Sequence, residues 1–369
     1  MKKTKVYAMY LPQFHSIPEN DIFWGKGFTD WVSVKKSQPL FEGHVQPKMP
    51  LNKNYYDLSK RESIKAQVDL ANEFGVDGWG IYHYWFNNKQ CLLTKPAEIL
   101  LDNKDFNINF FFAWDNTSWK RSWSNVKGGN VWAPSMENSE EHHGNGIMVE
   151  YILGGKEDWQ AHFDYLLPYF KDSRYEKREN KPLFVIFHYN EEIEKMCNYW
   201  DELAQKEGFN GMSFIFRYDD KEGIPSTKEV FKYEPVFSGW SHFTLKERIL
   251  NKIHKILRGN IGPDIYDYDK IWRKLIANAK RDDSRNILHG AFVTYDDSPR
   301  RGRKGIVVNN STPDMFQKYL SQLIDISSEQ DKDYIFLTAW NEWGEGACLE
   351  PDAEYSYTYL KAYEKAKNK

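Results

Sequence analysis

Eight times along this chain a short apolar run breaks off into polar and aromatic residues and, in most cases, gives way to a stretch with helical spacing. This alternation restricts the fold more than any other feature. The runs span 6–11, 78–86, 108–114, 182–187, 213–216, a segment within 234–240, 288–294, and the start of 334–351. Helical spacing follows at 60–74, 92–101, 157–170, 191–207, 314–326 and 355–367. In 60–74, Ile64, Val68, Leu70, Ala71 and Phe74 share one face, and Gly75 stops the helix. Pro96 suits the first turn of 92–101. Segment 245–285 is helical and basic, which suits a surface insertion or, better, a solvated helical face. Strand–helix alternation calls for a parallel sheet with crossover helices. Eight repeats favour a closed (β/α)8 TIM barrel, of class α/β, over an open doubly wound sheet. The 369 residues fit one such unit, residues 1–369.

Two connections are long and aromatic. One runs from the first strand to about residue 54 and carries Trp24, Phe28, Asp30 and Trp31; the other, 117–157, carries Trp119, Trp123 and Trp132. Loops of this length and content suit the rim of a pocket. Aromatic residues reach 16% with 14 tryptophans, and rings with a polar edge suit the faces of sugars. A net charge of −3 gives no electrostatic case for nucleic acid or an anionic membrane. Cys91, Cys197 and Cys348 are odd in number and far apart, which excludes a disulfide framework or a zinc pattern. The N-terminal residues lack the apolar core of a signal peptide, and no run approaches the roughly 20 apolar residues of a membrane span. The expectation is a soluble, cytoplasmic protein.

In a barrel, function gathers at the C-terminal ends of the strands. Those ends offer His15, His83, Tyr84, Trp85, Trp114, Asp115, Asn116, His188, Arg217, Tyr295, Asp296, Asn341, Glu342 and Glu345. The last strand is the most informative. Its apolar run ends in Asn341-Glu-Trp-Gly-Glu-Gly346, where glycines let Glu342 and Glu345 face one cavity. Paired carboxylates beside tryptophans match the needs of chemistry at a glycosidic bond. Two acids on one strand end are unusual for direct attack at C1, where the acids flank the bond. A metal reading would need His15, His83 and His188 to converge with Asp115, but there is no HxH after the first strand and no HExxH. No metal and no cofactor is expected. A GxSxG nucleophile motif is absent, and no GxGxxG or GxxxxGK[ST] loop follows the first strand. Arg300-Arg-Gly-Arg-Lys304 suits either a phosphate or uronic acid, or a solvated basic loop.

Four ordered motifs, Tyr10-Leu-Pro-Gln-Phe-His15, Trp24-Gly-Lys-Gly-Phe-Thr-Asp-Trp31, Tyr82-His-Tyr-Trp-Phe86 and Trp340-Asn-Glu-Trp-Gly-Glu-Gly346 with Leu349-Glu-Pro351, resemble the WbsX family over about residues 4–363. That family is named for glycosyltransferases of surface-polysaccharide clusters and is similar to glycoside hydrolase family 99, the endo-α-mannosidases and endo-mannanases. The resemblance implies a metal-free barrel that acts on α-mannosides with retention. It implies that Glu342 removes the proton from a sugar's own 2-hydroxyl, which attacks C1, and that Glu345 serves as acid and then base. By position it places Tyr295 and Asp296, with Tyr10, His83 and Trp114, around the reacting sugar; Trp31 and Trp343 are further substrate-binding candidates. The chain departs from family 99 at Gly344, where a histidine is usual. Three functions follow as expectations: a retaining endo-hydrolase of a mannose- or rhamnose-type bacterial polysaccharide, a cytoplasmic glycosyltransferase of O-antigen or capsule biosynthesis using a nucleotide sugar, and a non-catalytic glycan-binding barrel.

Overall fold

In the computed structural model, which describes residues 4–120, 147–242, 262–282, 284 and 286–368, the barrel closes between the two ends of the sequence. Its strands are β1 (Lys5–Tyr10), β2 (Gly78–Asn87), β3 (Phe110–Trp114), β4 (Lys181–Ile186), β5 (Ser213–Arg217), β6 (Glu229–Phe231), β7 (Ile287–Phe292) and β8 (Tyr334–Thr338). All eight neighbouring pairs are parallel, and β1 lies between β2 and β8, with Tyr7 opposite both Gly78 and Phe336. The helices are α1 (Pro18–Trp24), α2 (Asp30–Lys36), α3 (Arg61–Glu73), α4 (Lys95–Asp102), α5 (Lys156–Phe170), α6 (Glu191–Lys206), α7 (Tyr268–Arg281), α8 (Ser298–Arg301), α9 (Pro313–Glu329) and α10 (Thr358–Lys367). The chain is therefore a (β/α)8 barrel, although residues 218–228 join β5 to β6 without a helix.

Aromatic rings fill the lumen. Phe111 packs 5.2 Å from Tyr7 and 5.3 Å from Phe336, which in turn lies 5.1 Å from Phe231. Rings of this size need an empty wall opposite them, and Gly80 supplies it: a Cβ there would meet Phe111 at 2.6 Å and the Met9 sulfur at 2.9 Å. Below this layer Glu176 accepts hydrogen bonds from Tyr7, Tyr334 and Lys5, so the N-terminal end is plugged by a paired charge. A cavity of about 710 Å³ at that end is lined by Lys5, Glu176, Arg178 and Glu229, and their mutual ion pairs mark it as structural. Helix starts follow their local chemistry: Asn190, Asp267 and Thr312 each cap a backbone N–H three residues on.

Three expectations change. The sixth strand lies upstream of 234–240, at Glu229–Phe231, and residues 237–241 coil into a wide helical turn instead. Pro235 removes a ladder donor there, and a three-residue strand gives no periodic signal. Segment 92–101 becomes helical only at Lys95, because Gln90–Leu92 first pairs antiparallel with the end of β2. The basic segment 245–285 contains α7, which is a barrel helix and not a surface insertion: Tyr268, Ile271, Trp272, Leu275, Ile276 and Ala279 are buried, and the opposite face is solvated. Residues 245–261, with Trp123 and Trp132, lie outside the described residues. No helix among the described residues is long and apolar enough to cross a membrane.

Candidate active site

After β8 the chain makes a small hairpin. Asn341–Glu342 pairs antiparallel with Ala347–Cys348 around a single turn of 3-10 helix, Trp343–Glu345, and Gly346 takes the left-handed conformation (φ +56°) that reverses the chain. Asn341 anchors the hairpin: its amide donates to the Leu11 carbonyl at 2.9 Å and accepts from the Leu11 N–H at 2.7 Å. Trp343 is buried behind it, with its indole N–H on Glu350 at 2.7 Å and its ring 5.6 Å from Trp31. Glu350 also accepts from Tyr56 and Gln67, and Gln67 accepts from Tyr10. Asn341, Trp343, Trp31 and Tyr10 therefore form the support of the site, behind the two glutamates. A cavity of about 810 Å³ between residues 50–56 and α3 reaches this layer at Trp343 and Glu350.

Glu342 and Glu345 meet at one guanidinium. Arg300 of α8 donates to Glu345 at 2.7 Å and to Glu342 at 3.3 Å, and pairs with Asp30 of α2 at 2.8 and 3.3 Å. Three carboxylates thus share one cation in a buried setting. Burial and the neighbouring Glu345 charge push the Glu342 carboxyl well above the usual range, with Arg300 opposing. Gly344 lies against this cluster, where a Cβ would fall 2.3 Å from the Asp30 carboxylate and 2.6 Å from Arg300 Nε.

Three buried tyrosines and one partly buried one stand around the pair. Tyr82 and Tyr84 come from β2, Tyr233 follows β6, and Tyr295 follows β7. Tyr82 and Tyr233 share a hydrogen bond of 2.9 Å. Burial raises all four phenols, and the charge of Glu342, Glu345 or both adds to it. Next to Tyr295, Asp296 is tied to His44 at 2.7 Å and Gln46 at 2.5 Å; these bonds and those from Ser298 outweigh burial and hold its carboxyl low. Asp297 is pushed up to about 6, chiefly by burial.

A second polar group sits at the ends of β3, β4 and β5. Asn116 brackets the His188 backbone with two bonds of 2.8 Å, and His188 Nδ1 meets Glu222 at 2.6 Å. The Arg217 guanidinium lies 5.7 Å from the centre of the Phe187 ring. Asp115 accepts from Thr117 and is raised by burial against the charges of His188 and Arg217; its own charge reaches Tyr84.

His83, Trp85 and Trp114 do not join either group. Strand pleating turns them outward onto α5, where His83 meets His162 at 2.8 Å, Trp85 stacks on His162 at 4.4 Å, and Trp114 packs on its edge. Tyr10 likewise faces α3. His15 is buried near Asp57 and α4, its imidazole pKa lowered by burial. The three histidines do not converge. Of the other residues gathered here, the Trp24–Trp31 and Tyr82–Phe86 motifs carried Asp30 and Tyr82, the basic run Arg300–Lys304 suggested an anion or solvent for Arg300 and not a carboxylate pair, and nothing local marks Tyr233 or Glu222.

Comparison with known proteins fits this architecture. The endo-α-mannosidase of family 99 from Bacteroides thetaiotaomicron superposes with a TM-score of 0.55 at 14% identity, covering 100% of this chain and 97% of that one. A glycoside hydrolase-like protein gives 0.57 at 11% identity, covering 99% and 94%. At such identities the likeness is one of fold. The uncharacterized protein WxcX of Xanthomonas campestris pv. campestris (strain B100) is 28% identical over 368 residues, which is 97% of this chain but 49% of that protein. This chain thus spans about half the length of the curated relatives it matches. A family model described as "Glycosyltransferase WbsX" matches residues 6–363, and the chain belongs to that family of carbohydrate-active proteins.

Proposed function

We propose that this chain, as one catalytic unit, is a retaining, endo-acting glycoside hydrolase of an α-linked mannose- or rhamnose-type polysaccharide. The observation that carries the reading is the carboxylate pair Glu342 and Glu345, gathered by Arg300 under four tyrosines at the C-terminal mouth of the barrel. Glu342 takes the proton of the sugar's 2-hydroxyl as O2 attacks C1. The bond from C1 to the leaving oxygen breaks, and Glu345 gives that oxygen its proton. Water, deprotonated by Glu345, then opens the 1,2-anhydro ring at C1, and O2 recovers its proton from Glu342. Burial raises the proton affinity of Glu342, which strengthens it, once ionised, as a base toward a weakly acidic hydroxyl. Tyr82, Tyr84, Tyr233 and Tyr295 supply phenol donors and ring faces for the sugar.

The family description favours a second reading, a glycosyltransferase that uses a nucleotide sugar. A diphosphate needs a cation with free donors, and Arg300 is already shared by three carboxylates. That balance favours the hydrolase. The test is release of reducing ends from a panel of α-linked bacterial polysaccharides by the wild type and by Glu342→Gln and Glu345→Gln. Loss of release in both variants supports the proposal. Release that survives in both variants, or calorimetric binding of a nucleotide sugar with no release by the wild type, overturns it.

A further inference from the structure

Beyond Tyr295 the mouth of the barrel continues as a second aromatic surface. A three-stranded sheet outside the barrel makes it: Tyr295–Asp296 pairs antiparallel with one edge of Ile306–Asn309, and Asp264–Asp267 pairs parallel with the other. In this register Val308 stands opposite both Tyr295 and Tyr266, so the three side chains form one row on one face of the sheet. Two strand spacings put Tyr266 roughly 10 Å out from Tyr295. Trp240 bridges them, its ring 5.1 Å from Tyr295 and 5.7 Å from Tyr266, tilted by 51° and 31°. The turn that carries Trp240 is held at several points. The Tyr233 carbonyl accepts the Phe237 N–H at 2.9 Å, and the buried Glu234 carboxylate accepts from the Ser238 N–H at 2.9 Å and its hydroxyl at 2.5 Å. Gly239 donates to the Pro235 carbonyl at 2.8 Å and packs on Ile271 of α7, which a Cβ would meet at 3.4 Å. Phe237 packs instead on Tyr218 at 5.6 Å and His242 at 4.0 Å. Trp79, Trp340 and Trp343 are fully buried parts of the core, whereas Trp240 and Tyr266 are half-buried. Rings fixed from behind and partly open to solvent suit the apolar face of a sugar.

We propose that Trp240 and Tyr266, continuous with Tyr295, form a subsite for the sugar residues on the leaving side of the scissile bond, stacking on their apolar faces. The surface joins the reactive pair at Glu345. Gly346, next to Glu345, abuts Asp296, next to Tyr295: a Cβ on Gly346 would lie 3.1 Å from the Asp296 backbone nitrogen. The inference rests on the reading of Glu345 as the group that protonates the leaving oxygen. Whatever departs from C1 then lies beside Glu345, and the rings that continue outward from there are Tyr295, Trp240 and Tyr266. It goes beyond that reading in naming the leaving group as further sugar rather than a small aglycone. A surface roughly 10 Å long is wasted on a small leaving group, but it supports a glycan that runs on past the broken bond. Endo action thereby gains a physical basis. The rings themselves carry no charge, so recognition here is by shape and apolar area.

The test uses the intact chain and α-linked mannose and rhamnose oligosaccharides of increasing length, with Glu342→Gln present during binding so that no probe is consumed. In a chain labelled with fluorinated tryptophan, Trp240→Phe identifies the Trp240 fluorine signal, which is expected to shift as a probe binds. By calorimetry, Trp240→Ala is expected to weaken affinity by roughly threefold to tenfold, and more for long probes than for short ones. Trp240→Phe keeps a ring and is expected to lose less. Urea midpoints report whether each variant folds; should Trp240→Ala fail, Tyr266→Ala on its separate strand is expected to weaken the longer probes in the same way. A Trp240 signal that moves with no probe, or unchanged affinity in a folded Trp240→Ala or Tyr266→Ala, overturns the proposal. The side of the bond is read with the active chain on oligosaccharides labelled at the reducing end, where the labelled fragment is the leaving one. Trp240→Ala is expected to shift cleavage toward shorter labelled fragments; a shift toward longer ones puts the rings on the other side and overturns the assignment. Affinity lost in the variants with no release by the wild type supports the sugar subsite and counts against the hydrolase reading. Release with affinity and cleavage position unchanged counts against the subsite alone.

Discussion

Replacing Gly344 with alanine adds one methyl group where the structure has no room for it. The new Cβ would lie 2.3 Å from Asp30 Oδ2, 2.6 Å from Arg300 Nε and 2.8 Å from Asp30 Cγ. None of these atoms is the loose end of a flexible side chain. Asp30 is short, enclosed and doubly bonded to Arg300, and Arg300 is held in turn by the glutamates. Either the hairpin shifts or the ion pair separates. Overpacking of a tight interior costs roughly 1–3 kcal/mol, and breaking a buried pair roughly 3–5 kcal/mol; partial relief of both gives an expected loss of about 2–4 kcal/mol. Urea unfolding measures it as a lower midpoint at unchanged slope. Gly155→Ala serves as control, because its Cβ would meet nothing within 4 Å, and its effect is expected within about 0.5 kcal/mol. A Gly344→Ala protein as stable as the control would refute the idea that this glycine is kept for the Asp30–Arg300 pair.

Other consequences can be measured in the same preparations. Burial pushes the Glu350 carboxyl up to about 7 from its ordinary 4.5, against the bonds from Tyr56, Trp343 and Gln67. The folded chain therefore binds this proton more tightly than the unfolded chain, and the associated stability is full below about pH 4.5 and is lost as pH rises through about 7. Urea midpoints across that range are expected to fall in the wild type and to flatten in Glu350→Gln. His83→Phe and Trp114→Phe alter the layer between barrel and α5, so they are expected to lower stability by about 1–3 kcal/mol while leaving glycan affinity unchanged. Tyr233→Phe removes the hydroxyl shared with Tyr82 and is expected to weaken glycan affinity by several-fold with little effect on unfolding. Affinity by calorimetry and stability by denaturation separate the two classes.

The eight-strand alternation was readable because buried parallel strands and amphipathic helices have distinct periods. The sixth strand was not, since three residues carry no period and the neighbouring 234–240 segment was richer in apolar side chains. At the site, position along the strand was legible but direction was not. Tyr82 and His83 are adjacent in one motif, yet the pleat sends the first toward Tyr233 in the mouth and the second toward His162 on α5. A list of strand ends mixes the two faces, and only the register against neighbouring strands sorts them. Asp30 and Arg300 show a different limit. Asp30 looks like an ordinary loop charge and Arg300 like part of a basic loop suited to an anion or to solvent, and their meeting depends on how the connections after the first and seventh strands fold across the rim.

The paired hydrogen bonds between the Asn341 amide and the Leu11 backbone give the site a timetable. The first strand is made first and waits with an edge unpaired until the eighth, more than three hundred residues later, arrives to lie beside it. Contacts so far apart in sequence form slowly, because the whole intervening chain must already be gathered. The same amide that locks the last strand to the first also seats the hairpin bearing both glutamates. Closure of the barrel and seating of the glutamate hairpin are therefore coupled.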